Sequence, residues 1–407
     1  MKVVVIGAGP AGLMCASQCN KNNQVIVIEQ NEKIGKKLYI TGKGRCNVTN
    51  NCDFDEFYSN IVTNPKFLYG ALKSFTPQDT MNFIENNGTS LKTERGNRVF
   101  PVSDKASDIT KALENANKNT IFKLNEKVLN IEKNQTFVIK TTKNTYEADC
   151  VVICVGGKSY PTTGSDGSLY GIIKKLGHTI VQPLAALCPI VLKNDWVKDI
   201  EGISLKNVNL TAFENNKTFK TLFGEMLFTR NGISGPIALS MSSYINKKQN
   251  ISLEIDFKPA LSLECLEQRV EREYQNNYNN IVITMLKTLL PKNLALIILK
   301  QMNIEPTKIV RQLNERQRKQ IAYILKHFKL DYDKIDKLDY AIVTSGGIDV
   351  KEINPKTMQS KLVEGLYFAG EVIDIDALTG GFNIQLALST GFVAGNNIKE
   401  NSYGYCD

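Results

Sequence analysis

The residues of this chain best suited to chemistry lie in its first fifty positions: a set of glycines, one acid and a group of cations. Gly7-Ala8-Gly9-Pro10-Ala11-Gly12 follows the apolar run Val3-Val4-Val5-Ile6 and precedes a helical stretch from Leu13 to Asn20. A second apolar run, Val25 to Ile28, closes on Glu29, with Gln30 beside it. The pattern is strand, turn, helix, strand, with GxGxxG in the turn. Gly7 suits the tight turn, Gly9 lets backbone approach a pyrophosphate, and Gly12 lets helix and strand pack closely. Pro10 and Ala11 lie inside the turn, and the N-terminus of the helix that follows offers free N–H groups and a positive dipole end to phosphates. Glu29 is placed to accept hydrogen bonds from the two hydroxyls of a ribose. A glycine turn alone is weak evidence. Here every part occurs in register, and the reading is a dinucleotide site.

The next block, Gly35 to Asn50, interleaves Gly35, Gly42 and Gly44 with Lys36, Lys37, Lys43 and Arg45. Bare backbone N–H groups beside cations suit a diphosphate and an electron-rich ring. A thiol of lowered pKa is one reading of Cys46, next to Arg45, but with no CxxC partner a packing or ligand-contact role is favoured. Asn47-Val48-Thr49 matches a glycosylation acceptor, which a cytoplasmic protein would not use. Farther on, Val151 to Val155 reads as a buried strand ending at Gly156-Gly157, the kind of strand end where ligands bind in an open α/β sheet. Gly365 to Glu371 is another strand, ending in Gly370-Glu371. Leu378 to Asn383 then leads into a helix from Ile384 to Val393.

These groups need a large scaffold. The chain has 407 residues, 42% of them hydrophobic, which fits two or three domains with a sizeable core. No apolar run reaches membrane-spanning length, because Val282 to Met302 is broken by Lys287, Pro291, Lys292 and Lys300. The expectation is a soluble cytoplasmic protein without a signal peptide, since Met1 to Ile6 runs straight into the glycine turn. Nine scattered cysteines, no CxxC and only two histidines argue against a disulfide framework and a zinc site. Neither His178 nor His327 sits in a partner pattern for a nucleophilic triad. The net charge of +9 reads as a mild excess spread over many segments, so no nucleic-acid partner is expected.

The segment from Phe122 to Asn130, which includes Lys127 and Val128, alternates as a strand would. From Pro189 to Phe257 short alternating runs are separated by turns at Asn215-Asn216 and Asn231-Gly232, a β-rich pattern. Leu261 to Phe328 has helical spacing, and its basic stretch Arg311 to Lys319 reads as a solvated helix face without aromatic interleaving.

The block TGKGRCNVTN after GAGPAG and Glu29 resembles the BaiN-type NAD(P)/FAD-dependent oxidoreductases, which include aminoacetone-oxidase-like flavoproteins. VGGKSYPTTGSDG (Val155 to Gly167), KLGHTI (Lys175 to Ile180), GEMLFTRNGISGP (Gly224 to Pro236) and the stretch from Ala341 to Gly391 extend the resemblance to about Gly395. Lys43 stands where the family commonly has a glycine, Arg230 where histidine is frequent, and Phe382 where tyrosine is frequent.

The resemblance implies an α/β chain with a Rossmann-like FAD-binding domain split in sequence, residues 1–188 and 346–407. A β-rich, barrel-like substrate domain (189–260 and 330–345) and a helical insertion (261–329) would separate its halves. It further implies that backbone near Val128 holds the adenine. Glu371 and the segment Gly380, Gly381, Phe382, Asn383, Ile384 would meet the flavin end, a helix start near Asn383 stabilising negative charge on the reduced ring. With no side-chain triad, the flavin would carry a hydride between N5 and a small organic substrate. No second GxGxxG unit is present, so either NAD(P)H would bind transiently in the substrate cleft as a donor or molecular oxygen would reoxidise the flavin. Tyr160, Arg45 and Arg230 are the candidate pocket groups. Rival readings are an oxidase of small amines or aminoketones, a non-catalytic flavin sensor and an RNA-modifying flavoprotein. No metal and no membrane partner are expected.

Overall fold

The computed structural model describes residues 1–398; Cys406 and the rest of the C-terminal end of the expected cofactor domain lie outside the described residues. The chain divides into two compact units, one formed by residues 1–186 with those from 338 onward, the other by 187–337.

The first unit is built on a five-stranded parallel sheet in the order Leu366–Phe368, Cys150–Ile153, Lys2–Ile6, Gln24–Ile28, Ile121–Lys123. Its central strands are continuous apolar runs because both faces are covered, as parallel sheets require. The first helix, Pro10–Cys19, is buried along nearly its whole length and packs on the last described helix, Phe382–Asn397. Glycine permits the contact. A Cβ at Gly391 would lie 2.3 Å from the Ala11 carbonyl oxygen, and one at Gly395 2.4 Å from that of Cys15. Because 391 meets 11 and 395 meets 15, the two helices run parallel. The last helix therefore begins about eight residues, or about 12 Å, ahead of the first along their shared direction.

The expected strand from Phe122 to Asn130 is two strands. Ile121–Lys123 ends the parallel sheet, and Val128–Lys133 begins a three-stranded antiparallel meander. Asn125, at φ 53°, makes the break, and the Glu126 N–H donates to the Glu29 carbonyl at 3.0 Å. Asn is among the residues that adopt this left-handed conformation most readily. Ile180–Ala186 pairs antiparallel with Val343–Ile348, so residues 338–345 belong to this unit and not to the β-rich one.

The second unit holds a seven-stranded antiparallel sheet in the order Phe328–Leu330, Ile251–Asp256, Ser204–Glu214, Lys217–Thr229, Gly232–Ser234, Ile190–Leu192, Tyr332–Ile335. The long central hairpin turns at Asn215 and Asn216, φ 52° and 63°, the paired left-handed geometry that matches strand twist. Four helices, Leu263–Asn276, Val282–Leu286, Lys292–Gln301 and Glu315–Lys326, share one core with this sheet through Leu266, Ile298, Leu325 and Phe328. The expected helical insertion is thus not a separate body. Its amphipathic helices bury their apolar faces against the sheet and against one another. Among the described residues no helix is long and apolar enough to cross a membrane.

Candidate cofactor site

The three glycines of the first turn have different reasons to be glycine. Gly7 (φ 101°) would carry a Cβ 2.6 Å from the Cys154 carbonyl oxygen, and Gly12 one only 1.9 Å from that of Gly7. Both are fixed by packing within the protein. At Gly9 nothing lies within 4 Å of a built Cβ, and its φ of −80° suits any residue. Open space therefore faces the start of the first helix. No side chain caps that helix, Pro10 opens it, and no acid occupies its first turn. Its N–H groups are left for an anion.

Glu29 closes the second strand as expected and is buried. Its carboxylate accepts the Ala8 N–H at 2.8 Å, the Asn31 N–H at 2.9 Å and the Asn31 side-chain amide at 2.6 Å. Gln30 spends its amide on the Gly164 carbonyl at 2.7 Å, and Asn31 reaches the Thr163 carbonyl at 3.0 Å. These two side chains clamp the 160–165 loop. Val128 is buried, two residues past the Glu126 N–H that binds the second strand's end.

The basic glycine block is not an open loop. Lys36 to Gly44 forms tight 3-10 turns broken at Thr41 to Lys43. Gly42, Lys43 and Gly44 follow one another at φ 56°, 58° and 86°, so three consecutive residues are left-handed. This explains why glycine suits all three positions, and it makes Lys43 a strained exception. Lys36 pairs with Glu32 and Asn31, each at 3.2 Å. Lys37 meets Glu371 at 2.7 Å and the Ser159 hydroxyl at 2.7 Å. The same carboxylate accepts the Ser159 hydroxyl at 3.0 Å and the Thr344 N–H at 2.8 Å. Two expected cofactor residues, far apart in sequence, are thus partners of each other.

Arg45 turns away from the glycine turn to the strand pair Leu91–Glu94 and Arg98–Pro101. Its guanidinium pairs with Glu94 at 2.9 Å and Asp104 at 3.2 Å and lies 4.0 Å from the Phe100 ring centroid. The Glu94 hydrogen bond, then the Asp104 one, raises its pKa further. Cys46 is fully buried, and burial pushes its thiol up to about 12. The thiol is therefore a packed one and not the disfavoured lowered-pKa alternative, because burial leaves no water to stabilise a thiolate. Asn47 holds the Val99 N–H at 3.1 Å.

Gly156 (φ 72°) and Gly157 end the strand Cys150–Ile153. A Cβ at Gly157 would lie 2.4 Å from the Thr344 hydroxyl, which accepts the Lys158 N–H at 2.7 Å and the Ser159 N–H at 3.0 Å. Gly370 (φ 78°) would carry a Cβ 2.8 Å from that of Ala11, which fixes it against the first helix.

Gly380 and Gly381, both at positive φ, bring the chain into the last helix. Gly381 is its uncapped N-terminus, and no acid follows in the first turn. The helix starts at Phe382, one residue earlier than expected. Asn383 is spent on Ala377, accepting its N–H at 2.9 Å and donating to its carbonyl at 2.7 Å. The Phe382 ring is buried edge-on against Phe57 at 4.8 Å, and Ile384 is half-buried. Gln385, fully buried, accepts hydroxyls from Thr49 at 2.6 Å and Thr80 at 2.7 Å and holds this helix in place.

Two uncapped, parallel helix starts offset by about 12 Å, with open space at Gly9, fit an elongated ligand. Its phosphates would meet the first helix and an electron-rich ring the last. FAD has this form. Glu29 would hold its ribose, the N–H groups of the first helix its diphosphate, and the N-terminus of the last helix its flavin.

Of the candidate pocket groups, Tyr160 is half-buried at φ 52° before the turn Pro161–Thr163, and Arg45 is tied into the ion-pair network above. Arg230 is exposed on the turn after Lys217–Thr229 in the second unit. Sequence reasoning missed Thr344 and Ser159; the glycine pairs beside them were the available signal. It also offered no partner for His178. The structure places its buried ring 3.2 Å from Glu352 and 2.9 Å from the Ser360 hydroxyl. That hydroxyl accepts the N–H groups of Leu362 and Val363 at 3.0 and 2.8 Å and is buried. The line ties a loop down; it is not an accessible nucleophile.

Comparisons with known proteins find relatives over nearly the whole chain. A ribosomal RNA dihydrouridine synthase of Escherichia coli strain K12 is 30% identical over 404 residues, 97% of each chain. A 3-dehydro-bile acid delta(4,6)-reductase of Clostridium scindens is 28% identical, with 98% of this chain and 99% of that protein covered. Among solved structures, 3-ketosteroid delta1-dehydrogenase from Sterolibacterium denitrificans aligns over 97% of this chain and 98% of its own, at 13% identity and a TM-score of 0.50. That likeness concerns the fold. The family model of the HI0933-like protein Rossmann domain matches residues 1–397, and the chain belongs to that family.

Proposed function

We propose that this chain, an FAD-dependent oxidoreductase of its family, saturates a carbon–carbon double bond conjugated to a carbonyl. The observation that carries the flavin reading is the pair of parallel, uncapped helix starts, one behind Gly9 and one behind Gly381. The conjugated double bond comes from the two relatives. A uracil ring converted to dihydrouridine and a 3-oxo steroid losing unsaturation both gain a hydride and a proton across such a bond. Bound FAD supplies the hydride at N5, with NAD(P)H giving up the two electrons that reload it.

The chain's own residues do the rest. The first helix neutralises the diphosphate, and Glu29 fixes the ribose. The N-terminus of the last helix favours negative charge at the ring edge. Tyr160 is the proposed proton donor to the substrate carbon.

A small organic enone is the first substrate reading. Uridine in RNA is the second, favoured by the concentration of positive charge in residues 187–337, where 23 Lys/Arg face 16 Asp/Glu. The test is anaerobic mixing of the yellow protein with NADPH or NADH, followed by an acceptor. Bleaching, then recovery of colour on adding a steroid enone or ribosomal RNA, supports the reading and selects the substrate. Mass spectrometry of the product should show the gain of two hydrogens. Protein that takes up no FAD, or reduced protein reoxidised by neither acceptor, sinks it.

A further inference from the structure

The excess of cations is not spread along the chain as its total suggests. Residues 187–337 hold 23 Lys/Arg and 16 Asp/Glu, a net +7, while the remainder holds 27 and 25, a net +2. A field of one sign on one unit points to a polyanion there.

Within that unit the helix Glu315–Lys326 presents one long face to solvent. Arg316, Gln320, Tyr323 and His327 recur at spacings of four, three and four, with Lys319 beside them. Arg316, Lys319 and Gln320 are exposed, and Tyr323 is 52% exposed. The Tyr323 ring lies 4.7 Å from the His327 imidazole at an interplanar angle of 35°. The sequence reading of this stretch as lacking aromatic residues stopped at Lys319, one helical turn too early.

Acids border the face. Glu315 pairs with Lys319 at 2.7 Å and Glu254 with His327 at 2.8 Å, while Arg318 is turned inward onto Glu271 at 2.8 Å. Lys319 and Glu315 are both more than half exposed, so their pair is weak and readily exchanged for a phosphate. Glu254 holds the imidazole in place beside the tyrosine. An aromatic ring held open to solvent on a helix face that also carries cations is a stacking platform for a base. A bilayer would instead call for a large apolar face, and this one carries Gln320 and His327.

We propose that this helix face docks single-stranded RNA, a base stacking on Tyr323 while Arg316 and Lys319 meet the backbone. The proposal rests on the RNA reading of the function given above. It is tested with the full-length, FAD-loaded protein and a labelled oligouridylate of about 20 nucleotides, followed by fluorescence anisotropy between about 50 and 200 mM salt.

Tyr323→Ala should weaken binding about tenfold and Tyr323→Phe hardly at all, since the ring does the stacking. The double variant Arg316→Ala/Lys319→Ala should weaken binding and lower the salt slope by about 1 to 2. Flavin content and visible spectrum should be unchanged in all three. If the wild type binds RNA and these variants bind equally well, the surface assignment fails while the RNA reading survives. If the wild type binds no RNA at low salt, both fail. Binding to phosphatidylserine vesicles without binding to the oligonucleotide overturns the proposal in favour of a membrane surface.

Discussion

Of the 28 glycines in the chain, 24 lie in the first unit and 4 in the second, whereas the second carries +7 of the net +9. The first unit is organised by close backbone approach: carbonyls and N–H groups come nearer one another than any side chain would allow. The second unit has few glycines and carries its charge on side chains over an ordinary apolar core. The contrast separates two readings of one chain, a cofactor cradle that is nearly neutral and a domain suited to an anionic partner.

The sharpest way to break the first half of that comparison is at Gly12. Gly12→Ala places a Cβ 1.9 Å from the Gly7 carbonyl oxygen and should cost about 3 kcal/mol or more, with loss of FAD. Gly9→Ala meets nothing and should fold with an unchanged Tm, yet bind FAD more than about tenfold less tightly, since backbone can no longer approach the diphosphate. Thermal melts and flavin titration of both variants separate a packing glycine from a ligand glycine. Full FAD affinity in Gly9→Ala would refute the assignment of the open space to the cofactor.

A smaller effect is expected at the Lys37–Glu371 pair, whose side chains are 22% and 19% exposed. Glu371→Gln leaves the ammonium short of its counter-charge and should cost about 2 kcal/mol, read in urea unfolding. An unchanged midpoint would show that the pair contributes nothing to holding the 157–160 loop.

The His178 contact has a pH signature. Burial lowers its pKa, with Glu352 opposing. A histidine whose folded pKa is depressed stabilises the fold above its unfolded value of about 6.5, and that contribution is lost as pH falls through the folded value. Tm should drop between about pH 7 and pH 5, and less steeply in His178→Gln. Equal slopes would assign the acid sensitivity elsewhere.

The smallest expected change is Lys43→Gly, which relieves a left-handed lysine and should stabilise by about 0.5–1 kcal/mol. A loss of FAD in that variant would give the Lys43 ammonium a role in binding and sharpen the comparison in the other direction.

The glycine turn, its flanking strands and Glu29 were legible because they depend on neighbours in sequence: an apolar run, a turn that needs no Cβ, a helix start and an acid at fixed spacing. The hairpin at Asn215-Asn216 was legible for the same reason. The roles of Gln30 and Asn383 were not, because a polar side chain beside a cofactor motif can serve the ligand or the protein. Here Gln30 holds the Gly164 carbonyl and Asn383 holds Ala377. Cys46 next to Arg45 suggested a reactive thiol, yet consecutive side chains at an irregular turn point to different environments, and burial decided its chemistry.

By itself, then, the sequence determined the βαβ start, the places where backbone must come close, and the alternation that makes the second unit rich in strands. These follow from local sterics and from the periods of helix and strand, which need no distant partner. Only the tertiary structure decided that Lys37 faces Glu371, that Arg45 belongs to Glu94 and Asp104, and that His178 sits between Glu352 and Ser360. It alone showed that the helices of 263–326 share a core with the sheet. Each of these depends on which distant segments the chain brings together, and residue spacing along the chain carries no record of that.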